Sequence, residues 1–290
     1  MSGELSQEYV VARQALLDAL EAFGPQRVAV VLVGAQAIYL HTGNAGLAVA
    51  ESTTDADVAF DPSWLVEDPV LAVAMREAGF FREENGSGIP VGTWSSLRVI
   101  SGVSAVVKVD LLVPAVLGGG GRRAARIEGQ ELGSVLKVSG IEGCLVDCEI
   151  HTISSFDPAD NRSFEIKVAG SASLLVAKVI KLNERENQAA TGRDRRKYKD
   201  ALDVLRLLRA VKIEELVDGL RRLLGNELSK DVTETAIDAL PRLFGDPDSP
   251  ASLMAGEAAA PAEPADVIAS SCAALVGELI ETLGEAGLTA

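Results

Sequence analysis

The chain has 290 residues, of which 48% are hydrophobic and 24% charged, and its formal net charge is −15 at pH 7. This composition excludes a largely disordered chain, because the apolar fraction is large enough to build a buried core. The negative charge opposes non-specific binding to nucleic acid, so a contact with RNA has to come from a local basic surface. At this length we expect one large domain or two of ordinary size.

The three cysteines are an odd number, and the N-terminus lacks the basic and apolar segments of a signal peptide. By the same inspection, we expect no membrane span. These features predict a cytoplasmic protein with reduced thiols. The alternative for Cys144, Cys148 and His151 is a zinc cluster, for which the sequence offers no evident fourth ligand.

The first predicted elements are a helix, a buried strand and a short helix. Apolar residues recur at helical spacing over Gln7–Phe23, and Gly24-Pro25 ends that helix. The β-branched run Val28–Val33 is typical of a buried strand, and it ends at Gly34. Ala35–His41 follows as the short helix.

A second strand, predicted over Thr53–Phe60, carries Asp55 and Asp57. Because side chains alternate between the two faces of a strand, both carboxylates point to the same side. They repel each other unless a cation lies between them, and a hard divalent ion with oxygen ligands, Mg²⁺ or Mn²⁺, fits best. The alternative is a pair of surface carboxylates without a ligand.

The middle of the chain is predicted to continue with a helix and a hairpin. Ser63 is placed to cap a helix that runs through Ala78 and stops at Gly79. Val91–Ile100 and Ser104–Val113 are typical of two antiparallel strands. Further short strands are predicted at Cys144–Ser154 and Ser163–Ala169.

The second strand of this hairpin contains Asp110 in an otherwise apolar stretch. A carboxylate buried without compensation is costly. From the residues alone, Asp110 is explained by a strand edge or by a pair with Lys108.

Gly118–Gly121 is a run of four glycines that is followed by Arg122, Arg123 and Arg126. The run lacks the Lys-Ser/Thr ending of a P-loop. Two interpretations stay open: a mobile loop whose arginines approach a polyanionic substrate, and a plain solvated loop.

From Ser171 onward the pattern is helical. The first long helix places Lys178, Lys181 and Arg185 on one face, and a second helix follows a break at Gly192. Between Lys178 and Lys199 the chain has eight basic and three acidic residues, which makes a basic segment in an acidic protein. The other explanation of this basic segment is a solvated helix face with ion pairs along the helix.

The remaining segments are predicted as three helices, Lys212–Leu224, Ser229–Phe244 and Val267–Leu283. Gly245–Asp266 is rich in Pro, Ala, Gly and Ser, and it is predicted to be a flexible linker. The expected fold class is α+β: a mixed sheet flanked by helices over residues 1–170, then a helical domain over residues 171–290.

The Gly34-Ala35 turn, the short helix and the Asp55-x-Asp57 strand together resemble the nucleotidyltransferase superfamily. The long interval from Gly34 to Asp55 and the Thr/Ser-rich segment before Asp55 are similar to its AbiEii-like branch, which includes the MenT-type toxins. That branch also carries a helical Lys, a basic segment and a Lys/Arg-Asp-x-x-Asp motif, here Lys199-Asp200-Ala201-Leu202-Asp203. The resemblance spans roughly residues 28–205.

This resemblance implies a nucleotidyltransferase-like sheet and metal-dependent transfer of NMP from an NTP to an acceptor hydroxyl. RNA, tRNA in particular, is the implied acceptor, and the toxin of a toxin–antitoxin pair, with a cognate antitoxin, is the implied context. The implied catalytic residues are Asp55, Asp57, Asp110, Lys178 and Asp200. The three aspartates of the sheet are also the implied ligands of Mg²⁺ or Mn²⁺, and Gly34, Ala35, Thr54, Lys178 and Lys181 are the implied nucleotide-binding residues.

One position departs from the family pattern: Ala35 stands where many members have Ser or a second Gly, so a hydroxyl contact to phosphate is missing. Lys178 with Asp200 is the favoured pair in the helical domain, and Lys181 with Asp203 keeps the same interval as a second choice. Two other functions stay open, adenylylation of a small cationic antibiotic and a catalytically inactive nucleotide-binding relative.

Overall fold

A computed structural model describes residues 5–43, 45–49, 51–84, 86, 88–189 and 198–288. Within these ranges the protein has α+β architecture, with a seven-stranded mixed sheet and nine α-helices. The chain divides into two compact units. The sheet unit comprises Met1–Ala37, Glu51–Val138 and Cys148–Ala169, and the helical unit comprises Ile38–Ala50, Ser139–Asp147 and Gly170–Ala290.

This division lies near the boundary that we expect at residue 170, but it assigns two earlier segments to the helical unit. The first, Ile38–Ala50, holds the end of a helix that starts in the sheet unit. The second, Ser139–Asp147, contains a 3₁₀ turn at Glu142–Leu145 that packs on the first helix after Gly170. Both segments are short, so sequence composition alone does not separate them from their neighbours.

The sheet unit is built from the following elements: α1 (Gln7–Phe23), β1 (Val30–Val33), the start of α2 (Gly34–Thr42), β2 (Asp55–Phe60), α3 (Leu71–Glu77), β3 (Thr93–Ile100), β4 (Val103–Pro114), β5 (Leu136–Val138), β6 (Cys148–Ser154) and β7 (Ser163–Ala169). The strand order is β3-β4-β2-β1-β7-β6, and β5 also pairs with β4. Strand β2 is parallel to β4 and antiparallel to β1, so the sheet is mixed.

Helix α1 packs on one face of this sheet. Ser6 caps it by accepting a hydrogen bond from the Tyr9 N–H. At its other end the Phe23 ring meets Phe60 of β2 edge to face, with 5.3 Å between the ring centres. Because side chains alternate along β2, the face that carries Asp55 and Asp57 is the one opposite α1.

Several predicted element boundaries differ from the structure, and three of them are informative. A 3₁₀ turn occupies Gly24–Ala29, so the first strand starts at Val30 and not at Val28. The strand predicted from Cys144 starts at Cys148, after the 3₁₀ turn. The helix predicted from Ser63 to Ala78 is wrong over most of its length: only α3 and a short 3₁₀ turn form there, because Pro69 lacks a backbone donor and disfavours helix at the residue before it.

The helical unit contains α4 (Ser171–Ala189), α5 (Tyr198–Ala210), α6 (Ile213–Leu224), α7 (Lys230–Phe244), α8 (Pro250–Ala259) and α9 (Ala265–Glu285). Helix α8 lies inside the segment predicted as a flexible linker, so that prediction is wrong for these ten residues. Pro250 suits the first turn of a helix, and Ala251, Ala255 and Ala259 are buried where α8 packs on α5 and α9. Small apolar side chains there serve close packing and do not indicate a linker.

Helix α9 also corrects the expectation that no segment approaches a membrane span. By length and composition it is the one described helix that could cross a membrane, and 33% of its most apolar stretch is buried. Its buried side chains, among them Ile268, Cys272 and Leu279, face other helices of the unit. This pattern is also that of a core helix in a soluble protein.

Candidate functional site

Three carboxylates of the sheet unit project from neighbouring strands on the face opposite α1. In the register of β2 and β4, Asp57 lies directly beside Asp110, and Asp55 lies beside Lys108. Strand β3 adds Thr93 on the other side of Asp110. The pairing of β2 with β4 therefore brings together the three aspartates that the family resemblance implies.

Gly34 leaves the space that the Asp57 carboxylate occupies. Gly34 has a φ of +70°, a value that favours glycine. A Cβ atom at this position would lie 2.0 Å from Asp57 Oδ2, far inside any permitted contact. Helix α2 begins at Gly34, so the carboxylate lies at the end of the helix where the partial charge is positive.

The other implied nucleotide-binding residues of this region are Ala35 and Thr54. Ala35 is buried in the first turn of α2 and offers only its backbone to a ligand. Thr54 is exposed, and its hydroxyl donates to Asp55 Oδ1 over 3.4 Å. Thr53, which the sequence does not single out, accepts from the Asp55 N–H at 3.2 Å and so fixes the start of β2.

Asp110 has an unusual electrostatic environment. Burial, followed by repulsion from Asp57, raises its pKa from 3.8 to about 7, although a hydrogen bond with Thr93 works in the opposite direction. Its Oδ1 atom is buried and has no hydrogen-bond partner among the described residues. Lys108 lowers the pKa only slightly, and the described residues contain no ion pair between these two side chains. The alternative explanation of Asp110 through Lys108 therefore fails.

The donors at this place are of the kind that hard divalent cations prefer. Asp57 and Asp110 are adjacent carboxylates, and one oxygen of Asp110 lacks a hydrogen bond, so the residues fit such an ion. Within the described ranges, however, no three His, Cys, Asp or Glu side chains are gathered into a group that could hold a metal ion. The backbone thus aligns the carboxylates, while their side chains are not drawn together.

Two buried polar residues that were not predicted, Gln36 and Arg13, form a chain of hydrogen bonds to the backbone of Asp55. Gln36, in the first turn of α2, donates from Nε2 to the Asp55 carbonyl oxygen at 3.4 Å. Its Oε1 accepts from Arg13 Nε at 2.9 Å, and the Arg13 guanidinium lies 4.4 Å from the centre of the Phe156 ring. The signal was an arginine on the apolar face of the first predicted helix, one turn before Leu17.

The helical unit holds a separate cluster of charged residues between α4 and α5. Lys178 Nζ donates to Asp200 Oδ1 and to Asp203 Oδ2, both at 2.7 Å. Lys181 Nζ reaches Asp200 Oδ1 at 3.2 Å, and Arg185 also pairs with Asp200. Lys178 thus binds both aspartates of the motif. The second choice paired Lys181 with Asp203, but the ion pair that Lys181 forms here is with Asp200.

These ion pairs compensate for the burial of the cluster. Burial alone would raise the pKa of Asp200, but Lys178 and Lys181, helped by Arg185, hold it well below its usual range. Burial alone would lower the pKa of Lys178, but the Asp200 and Asp203 carboxylates outweigh burial and raise it. Other predicted basic residues, Arg193, Arg195, Arg196 and Lys197, together with the Gly192 break, lie outside the described residues.

No family model, curated protein or solved structure matches this chain. The nucleotidyltransferase resemblance stays a prediction from motifs, and the function is inferred below from the residues themselves.

Proposed function

We propose that this protein is a metal-dependent nucleotidyltransferase that transfers NMP from an NTP to an acceptor hydroxyl. The observation that supports this most is the position of Asp110 beside Asp57, with a buried Asp110 oxygen that no described group satisfies. A purely structural carboxylate at such a place would be expected to have hydrogen bonds at both of its oxygens.

In this proposal Asp57 and Asp110, with Asp55 beside them, hold Mg²⁺ or Mn²⁺. When bound, such an ion supplies positive charge between the carboxylates and the triphosphate. Gly34 leaves room for phosphate at the start of α2, where backbone N–H groups bind anions. Ala35 adds no hydroxyl there, so backbone groups carry this contact.

The transfer itself needs a base. The acceptor oxygen attacks the α-phosphorus, the bond from that phosphorus to the bridging oxygen of the β-phosphate breaks, and pyrophosphate leaves. Asp110 is the proposed acceptor of the hydroxyl proton. Its buried Oδ1 has no hydrogen-bond partner among the described residues and is therefore available to a proton.

In the helical unit, Lys181 is the proposed phosphate contact, and Lys178 is the proposed positioning residue. The side chain of Lys181 is 44% exposed, whereas Lys178 is enclosed by Asp200 and Asp203. Asp200 then orients both lysines. RNA is the proposed acceptor, tRNA in particular, and a toxin with a cognate antitoxin in the cytoplasm is the proposed context.

The test is a labelling experiment with purified protein, Mg²⁺, each of the four NTPs labelled at the α-phosphate, and total RNA. We expect label on RNA and release of pyrophosphate. Asp57→Asn and Asp110→Asn should abolish both, whereas Asp160→Asn, which changes a carboxylate paired with Arg162 elsewhere in the sheet unit, should leave both intact.

The rival functions give different results in the same experiment. Label on an aminoglycoside and not on RNA would favour the antibiotic adenylyltransferase. Nucleotide binding by calorimetry, with no pyrophosphate release from any NTP and any acceptor, would identify a catalytically inactive relative. Either result would refute the proposed transfer to RNA.

A further inference from the structure

The loop after β4 has an unusual charge for this protein. Residues 118–126, with the sequence GGGGRRAAR, are here called the arginine loop. Its three arginines, Arg122, Arg123 and Arg126, are exposed, and none forms an ion pair with another described residue. In a chain with a net charge of −15, an isolated group of like cations needs an explanation.

Exposed Arg242 bonds to Asn183, but most other surface arginines of the described chain pair with carboxylates. Examples are the pairs Arg76 with Glu131, Arg98 with Asp18, Arg162 with Asp160, Arg221 with Asp218 and Arg222 with Asp147. The arginine loop departs from this pattern three times within five residues. General solubility does not account for it, because the protein already has excess charge of the opposite sign.

The loop is also held in a defined shape. The Arg126 N–H donates to the Gly118 carbonyl at 2.8 Å, and the Lys137 N–H donates to the Arg123 carbonyl at 2.8 Å. Lys137 Nζ donates to the carbonyl oxygens of Gly119, at 2.8 Å, and Gly121. Both glycines have positive φ, +67° and +97°, so they permit turns that other residues disfavour.

Lys137 of β5 therefore holds the loop at Gly119, Gly121 and Arg123. The arginines are attached to a backbone that is fixed by these hydrogen bonds. A partner that binds them does not have to order the backbone of the loop first, which reduces the entropy cost of binding. Positive φ explains Gly119 and Gly121, and close approach to the Lys137 side chain explains Gly118. No described helix starts at the run, so it is not a phosphate-binding loop of that kind.

We propose that the arginine loop is the surface on which the phosphate backbone of an RNA acceptor docks. This inference rests on the proposed function. Guanidinium groups bind phosphate oxygens in a bidentate manner and keep their charge at all physiological pH values. The loop follows Pro114, four residues beyond Asp110 on β4, about 13 Å along the strand. RNA held there has the length to reach the carboxylates.

The experiment measures the binding of a fluorescent tRNA to the full-length protein over a series of salt concentrations. The test variant replaces Arg122, Arg123 and Arg126 by Gln. The matched control replaces Arg76, Arg221 and Arg222 by Gln, which changes the net charge by the same amount at arginines that have carboxylate partners. The wild-type plot of log affinity against log salt concentration should be linear and negative in slope.

We expect the loop variant to lose about tenfold or more in affinity at low salt and to flatten the slope by about 2. The control should keep the wild-type slope. Equal slopes for the two variants would overturn the proposal, and so would a wild-type protein that binds poly-glutamate through the loop but not tRNA, since that result points to an acidic protein partner.

Labelling in the same samples separates this inference from the proposed function. Transfer to RNA that is unaffected by the loop variant at limiting RNA would refute the loop and leave the transferase intact. Loop-dependent tRNA binding without any transfer would retain the docking surface and refute the transferase.

Discussion

The two carboxylate pairs of this protein have opposite electrostatic environments. In the helical unit, Asp200 and Asp203 surround the ammonium group of Lys178, and the pKa of Asp200 is below its usual range. In the sheet unit, Asp57 lies beside Asp110, and the pKa of Asp110 is raised to about 7 by burial and by repulsion from Asp57. Asp200 and Asp203 are the more deeply buried pair, yet the pKa of Asp200 is lowered, so the neighbouring charges decide the direction of the shift.

This difference indicates which pair is complete in the folded chain. The helical cluster supplies its own counter-charge, so its residues stabilise the fold without a ligand. In the sheet pair, Asp110 Oδ1 has no hydrogen-bond partner among the described residues and Asp57 repels Asp110, so an external cation would relieve this repulsion. The predictions below test this contrast, beginning with the largest expected effect.

Lys178→Met should be the most destabilising of the substitutions considered. It leaves Asp200 and Asp203 buried without their shared cation, and breaking a buried ion pair in this way costs about 3–5 kcal/mol of unfolding free energy. Denaturant unfolding of the full chain measures it. The control is Arg221→Met, which breaks a pair with Asp218 in which the two side chains are 50% and 63% exposed, and it should cost under about 1 kcal/mol. Equal stability of the two variants would contradict a self-compensated cluster.

Mg²⁺ should stabilise the folded protein through the sheet pair. At a concentration 100 times its dissociation constant, a ligand specific for the folded state adds about 2.7 kcal/mol. Thermal unfolding with Mg²⁺ and with a chelator measures the gain. Asp57→Asn should remove it, and Asp160→Asn should retain it because Asp160 pairs with Arg162 away from the carboxylates. A gain that survives in Asp57→Asn would place the ion elsewhere.

The sheet pair should also make stability depend on pH in the absence of divalent ions. The folded pKa of Asp110, about 7, is above its usual 3.8, so the folded protein keeps a proton that the unfolded chain releases. The contribution of Asp110 to the free energy of unfolding is therefore fully present below pH 3.8 and is lost as the pH rises to about 7. Asp110→Asn should escape this loss and gain on the wild type by up to about 1.4 kcal/mol per pH unit in that window.

Thermal unfolding in chelator at about pH 5 and pH 8 measures this gain as a difference between variant and wild type. Asp160→Asn serves as the control, because the hydrogen bond from Arg162 lowers the pKa of Asp160 to about 2, so its difference from the wild type should stay constant between these two pH values. A constant difference between Asp110→Asn and the wild type across this range would contradict the raised pKa.

Periodicity within one strand or one helix predicts which residues of the two charged sites lie on the same face of that element. Alternation along β2 is enough to put Asp55 and Asp57 on one face, and helical spacing is enough to align Lys178, Lys181 and Arg185, all three of which contact Asp200. The helix Gln7–Phe23 is confirmed to the residue, because apolar periodicity and the Gly24-Pro25 stop act within the same segment.

Contacts between distant elements are not contained in that periodicity. Nothing local to β4 specifies that it pairs with β2 some 50 residues earlier; the resemblance, and not the pattern, gave this contact. The helix at Pro250–Ala259 was missed for a related reason. Its Ala and Gly residues become informative only when the helices on which they pack are known.

Gln36 should have the smallest effect on stability and the more specific effect on the site. Gln36→Leu removes the donor to the Asp55 carbonyl and leaves buried Arg13 without one of its acceptors. Unsatisfied buried groups of this kind cost about 1–3 kcal/mol. Because the amide holds the start of β2 against the first turn of α2, its loss should also weaken Mg²⁺ binding, by about tenfold or more as for other residues behind metal ligands.

The matched control is Gln26→Leu, which removes another buried glutamine of the sheet unit. Gln26 donates to the Val66 and Pro69 carbonyls and accepts from the Val66 N–H, so it makes three hydrogen bonds against two for Gln36, and its partners lie outside β2 and β4. It should lose at least as much stability as Gln36→Leu and keep the Mg²⁺ affinity of the wild type, measured by calorimetry below the unfolding temperature. If both variants weaken Mg²⁺ equally, Gln36 acts through general stability, and the support of Asp55 by Arg13 and Gln36 is not specific to the carboxylate site.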